Sequence, residues 1–205
     1  MPEYMAAAKT VKESAPASAT DELVREAALM AQMDRHPNIV SLVGVVTRGT
    51  PKMLLISLAQ HGSLLEYLQK NSGANNLNLT PTLRASAGLH VARGMAHISA
   101  FRLVHRDLAA RNVLVGSGWV FKVADFGLSR AATSGGNGNS DAEEYYRSRN
   151  GVFPVRWTAP EAMKDSKYTQ ASDVWSFGIT LVEVYTDGAQ PYACLLYTSP
   201  SPRDA

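Results

Sequence analysis

The chain has 205 residues, 45% of them hydrophobic and 19% charged, with a formal net charge of +2. That composition is enough for one ordinary globular core and excludes a chain that is disordered throughout. Its positive excess is too mild, and its Lys and Arg too scattered, for a nucleic-acid or anionic-membrane partner.

No stretch approaches the ~20 apolar residues of a membrane span, and the opening MPEYMAAAKTVKES lacks a signal-peptide pattern. The single cysteine, Cys194, excludes an internal disulfide, and the histidines show no metal-ligand spacing with it. In chain order, Met5 to Val11 predicts a strand, followed by an Ala/Ser/Pro turn region up to Thr20. A helix is predicted from about Asp21 to Met33, where Leu23, Ala27 and Met30 make an apolar stripe.

Glu26 falls on that same stripe. Taken alone it fits a solvated helix edge better than a buried one. The alternative is an inward carboxylate, which needs a cation. Lys9, at the end of the small-residue run AAAK, is the nearest candidate before it.

Two strands, Ile39 to Thr47 and Met53 to Leu58, are predicted to form a hairpin around Arg48 to Pro51. A short helix starts at Ser63, and a polar loop ends at Thr80-Pro81, with the proline suited to a first helical turn. Leu83, Ala87, Val91, Gly94, Met95 and Ile98 then line one face of a long helix. Short strands at Val113 to Val115 and Val120 to Val123 flank the charged run VHRDLAARNVLV and the motif Ala124-Asp125-Phe126-Gly127.

Leu128 to Asn150 is too rich in Gly, Asn and Ser to bury a core. Near its end stand Tyr145 and Tyr146. The later run SDVWSFGITLVEVYT is apolar nearly all round, with Asp173 and Glu183 as its only charges, and predicts a helix enclosed within the domain.

HRDLAARN, DFG and APE occur in that order behind a lysine and a helical glutamate, and with them the chain resembles a protein kinase over about Met5 to Ala193. DLAARN, PVRW before TAPE, and the paired loop tyrosines resemble tyrosine kinases rather than serine/threonine kinases. The resemblance implies an α+β, two-lobed fold with a small lobe over about 1–58, a hinge at about 57–61 and a mostly helical large lobe over 62–193. Against the family pattern the fold is incomplete. The glycine-rich loop and first strands of the small lobe are expected to lie outside this sequence, as are the last helices of the large lobe, so the helix over Val174 to Tyr185 is expected to lose its cover on at least one side and expose hydrophobic surface.

The chemistry implied is transfer of the ATP γ-phosphate to tyrosine hydroxyls of protein substrates, with Mg2+ or Mn2+. Lys9 would hold the α- and β-phosphates and Glu26 would fix that lysine by an ion pair. Asp125 and Asn112 would supply oxygens to the metal. Asp107 would accept the acceptor proton or orient the hydroxyl, with Arg111 placing positive charge beside it.

Serine/threonine kinases usually do the latter with a lysine two residues after the aspartate, where this chain has Ala109. Around the nucleotide the resemblance sets Ala7, Ile56, Ser57, Ala59 and Leu114, with the backbone of Ser57 to Ala59 bonding the adenine. Pro154 would pack against the acceptor phenol. Met30, Leu42, His105 and Phe126 match the side-chain stack joining the lobes, with Gly127 completing the DFG turn and Asp173 holding the catalytic-loop backbone.

Arg106 would receive a phosphate on Tyr145 or Tyr146, added by a second copy of the chain. Glu161 would normally pair with an arginine further along the large lobe, so here it is expected to be a buried, unpaired carboxylate. A cytoplasmic location is expected, whether the parent is a receptor or a cytosolic enzyme. The fragment alone is expected to be inactive. Two other readings stay open: a pseudokinase acting as an interaction module, and a dual-specificity or serine/threonine kinase.

Residues 194–205, CLLYTSPSPRDA, break the pattern. Back-translated, Cys194 to Asp204 resemble a read-through of the adapter used in transposase-made sequencing libraries, and the segment is read as a non-native tail.

Overall fold

The computed structural model describes residues 5–11, 15, 18–73, 79–131 and 154–193. Tyr145, Tyr146 and residues 194–205 lie outside that set. Strand β1 (Ala6–Thr10), helix α1 (Ser18–Gln32) and strands β2 (Leu42–Val46) and β3 (Met53–Ser57) form the small lobe. Its sheet has the order β1-β3-β2, antiparallel throughout, with the fully buried Leu54 on the central strand. The register opposes Ala7 to Ile56 and Lys9 to Leu54.

Helix α1 starts three residues before the predicted Asp21, because Ser18, Ala19 and Thr20 extend it by most of a turn. Its buried residues are Leu23, Glu26, Ala27 and Met30, so the solvated-edge reading of Glu26 is overturned. The predicted hairpin forms, but β2 begins only at Leu42. The reason is packing: Ile39 and Val40, 4% and 3% exposed, are claimed by the other lobe. Ile39 bridges Val123 in parallel, and the Val40 N–H donates to the Val123 carbonyl at 2.9 Å.

The large lobe contains α2 (Leu64–Lys70), α3 (Pro81–Ala100), the short strands β4 (Leu103–Val104), β5 (Val113–Val115), β6 (Phe121–Val123) and β7 (Arg130–Ala131), then α4 (Pro160–Asp165) and α5 (Gln170–Tyr185). Ser63 caps α2 through a reciprocal capping box with Glu66, and Thr80 caps α3 ahead of Pro81. The β5–β6 hairpin and the β4–β7 pair bracket the charged run at 105–112.

Helix α5 has two unlike faces, and its exposed apolar side is the one expected from the loss of cover over Val174 to Tyr185. Its buried face carries Ser172, Asp173, Ser176, Thr180 and Glu183 beside Ile179 and Val184, while Val174 and Tyr185 are 68% and 60% exposed. Trp175 and Val182 are also exposed. Among the described residues, no helix is long and apolar enough to cross a membrane.

The two lobes meet through Asn38. Its side-chain amide donates to the Phe121 carbonyl at 3.1 Å, and its own carbonyl accepts from the Val123 N–H at 2.9 Å. Gly94 on α3 makes this approach possible, since a Cβ there would stand 2.6 Å from the Asn38 oxygen and 3.0 Å from a Val123 methyl. Gly94→Ala is therefore expected to destabilise the fold by about 1–3 kcal/mol through overpacking against backbone. Urea unfolding of the variant checks it, with a lowered midpoint and an unchanged slope as the expected result.

Candidate active site

Lys9 is the junction of the site. Its Nζ donates to Glu26 Oε2 at 2.7 Å and to Asp125 Oδ1 at 2.9 Å, joining β1, α1 and the segment after β6. The other Glu26 oxygen, Oε1, accepts the Phe126 N–H at 3.2 Å. Burial alone would push the Lys9 ammonium down, but the Asp125 and Glu26 carboxylates outweigh it and hold its pKa above the ordinary 10.5. Glu26 goes up, because burial and the nearby Asp125 charge together exceed the pull of Lys9. Asp125 itself has a positive φ of 62°, a left-handed conformation uncommon outside glycine.

Asp107 is 7% exposed and held from two directions. Arg111, one turn on, pairs with Oδ1, and Asn112 Nδ2 donates to Oδ2 at 2.9 Å and to the Asp107 carbonyl at 2.7 Å. Both of these bonds use the Asn112 nitrogen. The amide oxygen of Asn112 and the carboxylate of Asp125 make an all-oxygen donor set, which suits a hard divalent cation such as Mg2+ or Mn2+. Among the described residues there is no cluster of three His, Cys, Asp or Glu that could hold a metal unaided.

His105 is fully buried. Its Nδ1 accepts the Asp107 N–H at 3.3 Å, which assigns the proton to Nε2, and Nε2 then donates to the Ala124 carbonyl at 3.1 Å. Its ring meets Phe126 edge-on at 5.4 Å. Below, Asp173 accepts the His105 N–H at 2.7 Å and the Arg106 N–H at 2.9 Å. Burial raises the Asp173 pKa against these bonds. Arg106 has a φ of 70°, and its guanidinium stands 5.2 Å from the centre of the Tyr168 ring.

On the far wall, Ala7, Ile56, Ser57, Ala59 and Leu114 are half-buried. The Ser57 N–H is committed to the Ser41 carbonyl at 2.9 Å, so it is not available to a purine. The chain leaving β3 is tied to β5, with the His61 N–H donating to Val115 O and the Val115 N–H to Gly62 O. This fixes Leu114 beside the strand exit. Gly127 lies in the turn after Phe126, and its carbonyl accepts from Arg130.

Two expectations are corrected. Glu161 is exposed in the first turn of α4, where a carboxylate is favourable, so no buried unpaired charge arises. Pro154 is buried, and its carbonyl accepts from Trp157 N and Thr158 Oγ1; its ring is not offered to an acceptor phenol. Glu183 and Trp157 were missed as site residues. Glu183 carried a signal, as the second charge on an apolar helix, and it is 1% exposed with its pKa raised by that burial.

The profile of the family described as protein tyrosine and serine/threonine kinase matches residues 2–199. Ephrin type-A receptor 5 of Gallus gallus is 44% identical over 191 residues, covering 93% of this chain and 18% of the relative. Fibroblast growth factor receptor 1 of Dugesia japonica is 37% identical over 197 residues, 93% of this chain and 22% of the relative. Tyrosine-protein kinase FRK of Homo sapiens is 44% identical over 174 residues, 84% of this chain and 32% of the relative. The chain thus spans a third or less of the length of these relatives.

The raised Lys9 pKa has a stability consequence with a definite sign. The clamp's contribution is fully present below the ordinary value of 10.5 and is lost as pH rises through the higher folded value. Unfolding midpoints across the alkaline range should therefore fall more steeply for the native chain than for Lys9→Met, and parallel curves would refute the clamp. Asp173→Asn leaves one of two loop N–H groups without its acceptor, and is expected to cost about 1–3 kcal/mol. Faster hydrogen exchange at His105 and Arg106 checks that it acts there.

Proposed function

Because the chain belongs to the protein tyrosine and serine/threonine kinase family, we propose that it carries the catalytic machinery of a protein tyrosine kinase. The reaction is transfer of the γ-phosphate of ATP to the phenolic oxygen of tyrosines in protein substrates. One observation carries the reading: a lysine is clamped by two carboxylates, and an aspartate is held by an arginine and by Asn112, whose backbone carbonyl accepts the N–H of Ala124, the neighbour of Asp125. Phosphoryl transfer needs mainly positioning and charge neutralisation, and these residue types supply both.

In this mechanism Lys9 neutralises the α- and β-phosphates, and Glu26 keeps its ammonium on station. Asp125 and Asn112 would hold the divalent cation, which would supply neutralisation of the nucleotide's negative charge. Asp107 orients the phenol and takes its proton as the bond from oxygen to phosphorus forms and the bond from phosphorus to the β–γ bridging oxygen breaks, releasing ADP. Arg111 offsets negative charge on the transferring group. Ala7, Ile56, Ala59 and Leu114 enclose the adenine, with backbone readout falling to the part of the hinge beyond the Ser57 N–H.

Tyrosine is favoured over serine because Ala109 stands where serine/threonine kinases carry the lysine that places charge beside the aspartate, while here Arg111 supplies that charge to Asp107 from one turn further on. Regulation is assigned to Tyr145 and Tyr146, modified by a second copy, with Arg106 as the receiving cation. The setting is the cytoplasm. Residues 194–205 are proposed to be non-native on the strength of their wording alone. The family match runs to residue 199, inside them, and a genomic exon encoding them would overturn that proposal.

The direct test uses the full-length gene product with ATP, Mg2+ and a tyrosine-containing peptide. Asp107→Asn and Lys9→Met are each expected to lower kcat by roughly 10²-fold or more. Phosphoserine as the main product would overturn the acceptor assignment, and no transfer by the unaltered protein would overturn the kinase reading. Changing Tyr145 and Tyr146 together to Phe is expected to lower activity, and unchanged kinetics would refute their regulatory role.

A further inference from the structure

Glu183 sits on the inward face of α5, 1% exposed, and a single oxygen of it accepts two bonds. One comes from the Ala110 N–H at 2.8 Å, within the 105–112 loop. The other comes from Trp157 Nε1 at 2.9 Å, in the short 3-10 turn that follows Pro154. The indole so fixed lies under the Arg111 guanidinium, 4.9 Å from ring centre to charge, and Arg111 in turn grips Asp107. Ala110, Trp157, Arg111 and Asp107 are therefore connected to one buried carboxylate.

A buried carboxylate is costly unless it is hydrogen-bonded, and hydrophobic helix positions are cheaply filled by aliphatic residues. The contacts of Glu183 suggest what its presence supports. It reads two segments at once: the loop that bears Asp107, and the turn that precedes α4. Arg111 is one-third exposed and would sample many rotamers on its own. The indole face restricts it through a cation–π contact, and the N–H bond to Glu183 restricts the indole. Burial raises the Glu183 pKa, and the bonds from Ala110 and Trp157 and the nearby charge of Arg111 pull against it.

We propose that Glu183 and Trp157 are positioning residues for phosphoryl transfer, setting the orientation of Arg111 and through it the carboxylate of Asp107. The inference rests on the kinase reading above. It goes beyond it in making the α5 carboxylate and the indole part of the acceptor side of the site, separate from the nucleotide side held by Lys9. A purely structural role for Glu183 would impair both sides together, whereas a positioning role affects turnover and leaves nucleotide affinity intact.

The experiment compares the full-length gene product with its Glu183→Gln, Trp157→Phe and doubly substituted forms, using ATP and a tyrosine peptide. Glu183→Gln retains size and an acceptor oxygen but loses the charge. Trp157→Phe retains a ring face but loses the N–H. Each is expected to lower kcat by roughly tenfold, with KM for ATP within about twofold of the unaltered protein. The double variant is expected to fall little further than the worse single one, because both act along one path.

Unchanged kcat in Glu183→Gln, or KM for ATP rising as kcat falls, overturns the assignment. If Glu183→Gln loses its cooperative melting transition, Trp157→Phe decides alone, and unaltered turnover in it is equally fatal. An unaltered protein that transfers no phosphate overturns the kinase reading and this inference with it. An active protein indifferent to both substitutions overturns only the inference.

Discussion

The site depends on one ammonium reaching two carboxylates from different parts of the chain. Lys9 meets Glu26 seventeen residues on and Asp125 another hundred beyond, with all three groups partly or wholly withdrawn from water. Each charge would be costly in that position alone. Together they define where β1, α1 and the segment after β6 stand relative to one another. The Phe126 N–H bound to the second Glu26 oxygen extends the constraint from side chains to backbone. A small lobe whose described residues form a three-stranded sheet is thus tied to the large one by charge as well as by apolar packing.

The opposite wall is governed by α5, whose inward face is built to satisfy loops. Asp173 takes two N–H groups at residues 105 and 106, and Glu183 takes a third at 110. Between those points the loop has little freedom, and Asp107 sits where both bonds and its own Asn112 and Arg111 contacts agree. Such a loop needs no rearrangement to present a carboxylate to a reacting group, which is the sense in which electrostatic preorganisation lowers a barrier.

Much of this was legible in the residues. The stripe Leu23, Ala27 and Met30 described the apolar α1 face correctly, whereas the burial of Glu26 came from the family resemblance and not from the helix pattern; the capping residues Ser63 and Thr80 located two helix starts. What failed did so for identifiable reasons. The exposed apolar side of helix α5 was expected, but its polar inward face was not, because periodicity weighs residue types and cannot see that backbone N–H groups would claim Asp173 and Glu183. The strand predicted from Ile39 was too long because Ile39 and Val40 are bonded to Val123, eighty-odd residues away, and local pattern holds no information about that partner. Trp157 was noticed only as part of a signature, since nothing in its surroundings announced that its N–H would point at Glu183.

The Asn38 junction has a practical bearing on how such a chain can be cut and recombined. By sequence, residues 38–40 precede the hinge and belong to the first part of the molecule; by bonding, they belong to β6 and α3. A chimera that exchanged everything before residue 58 with another protein would import a foreign Asn38 loop onto Phe121, Val123 and Gly94. The seam that a recombinant must respect runs through that three-way fit, and a large lobe without the glycine on α3 would set a Cβ 2.6 Å from the Asn38 oxygen.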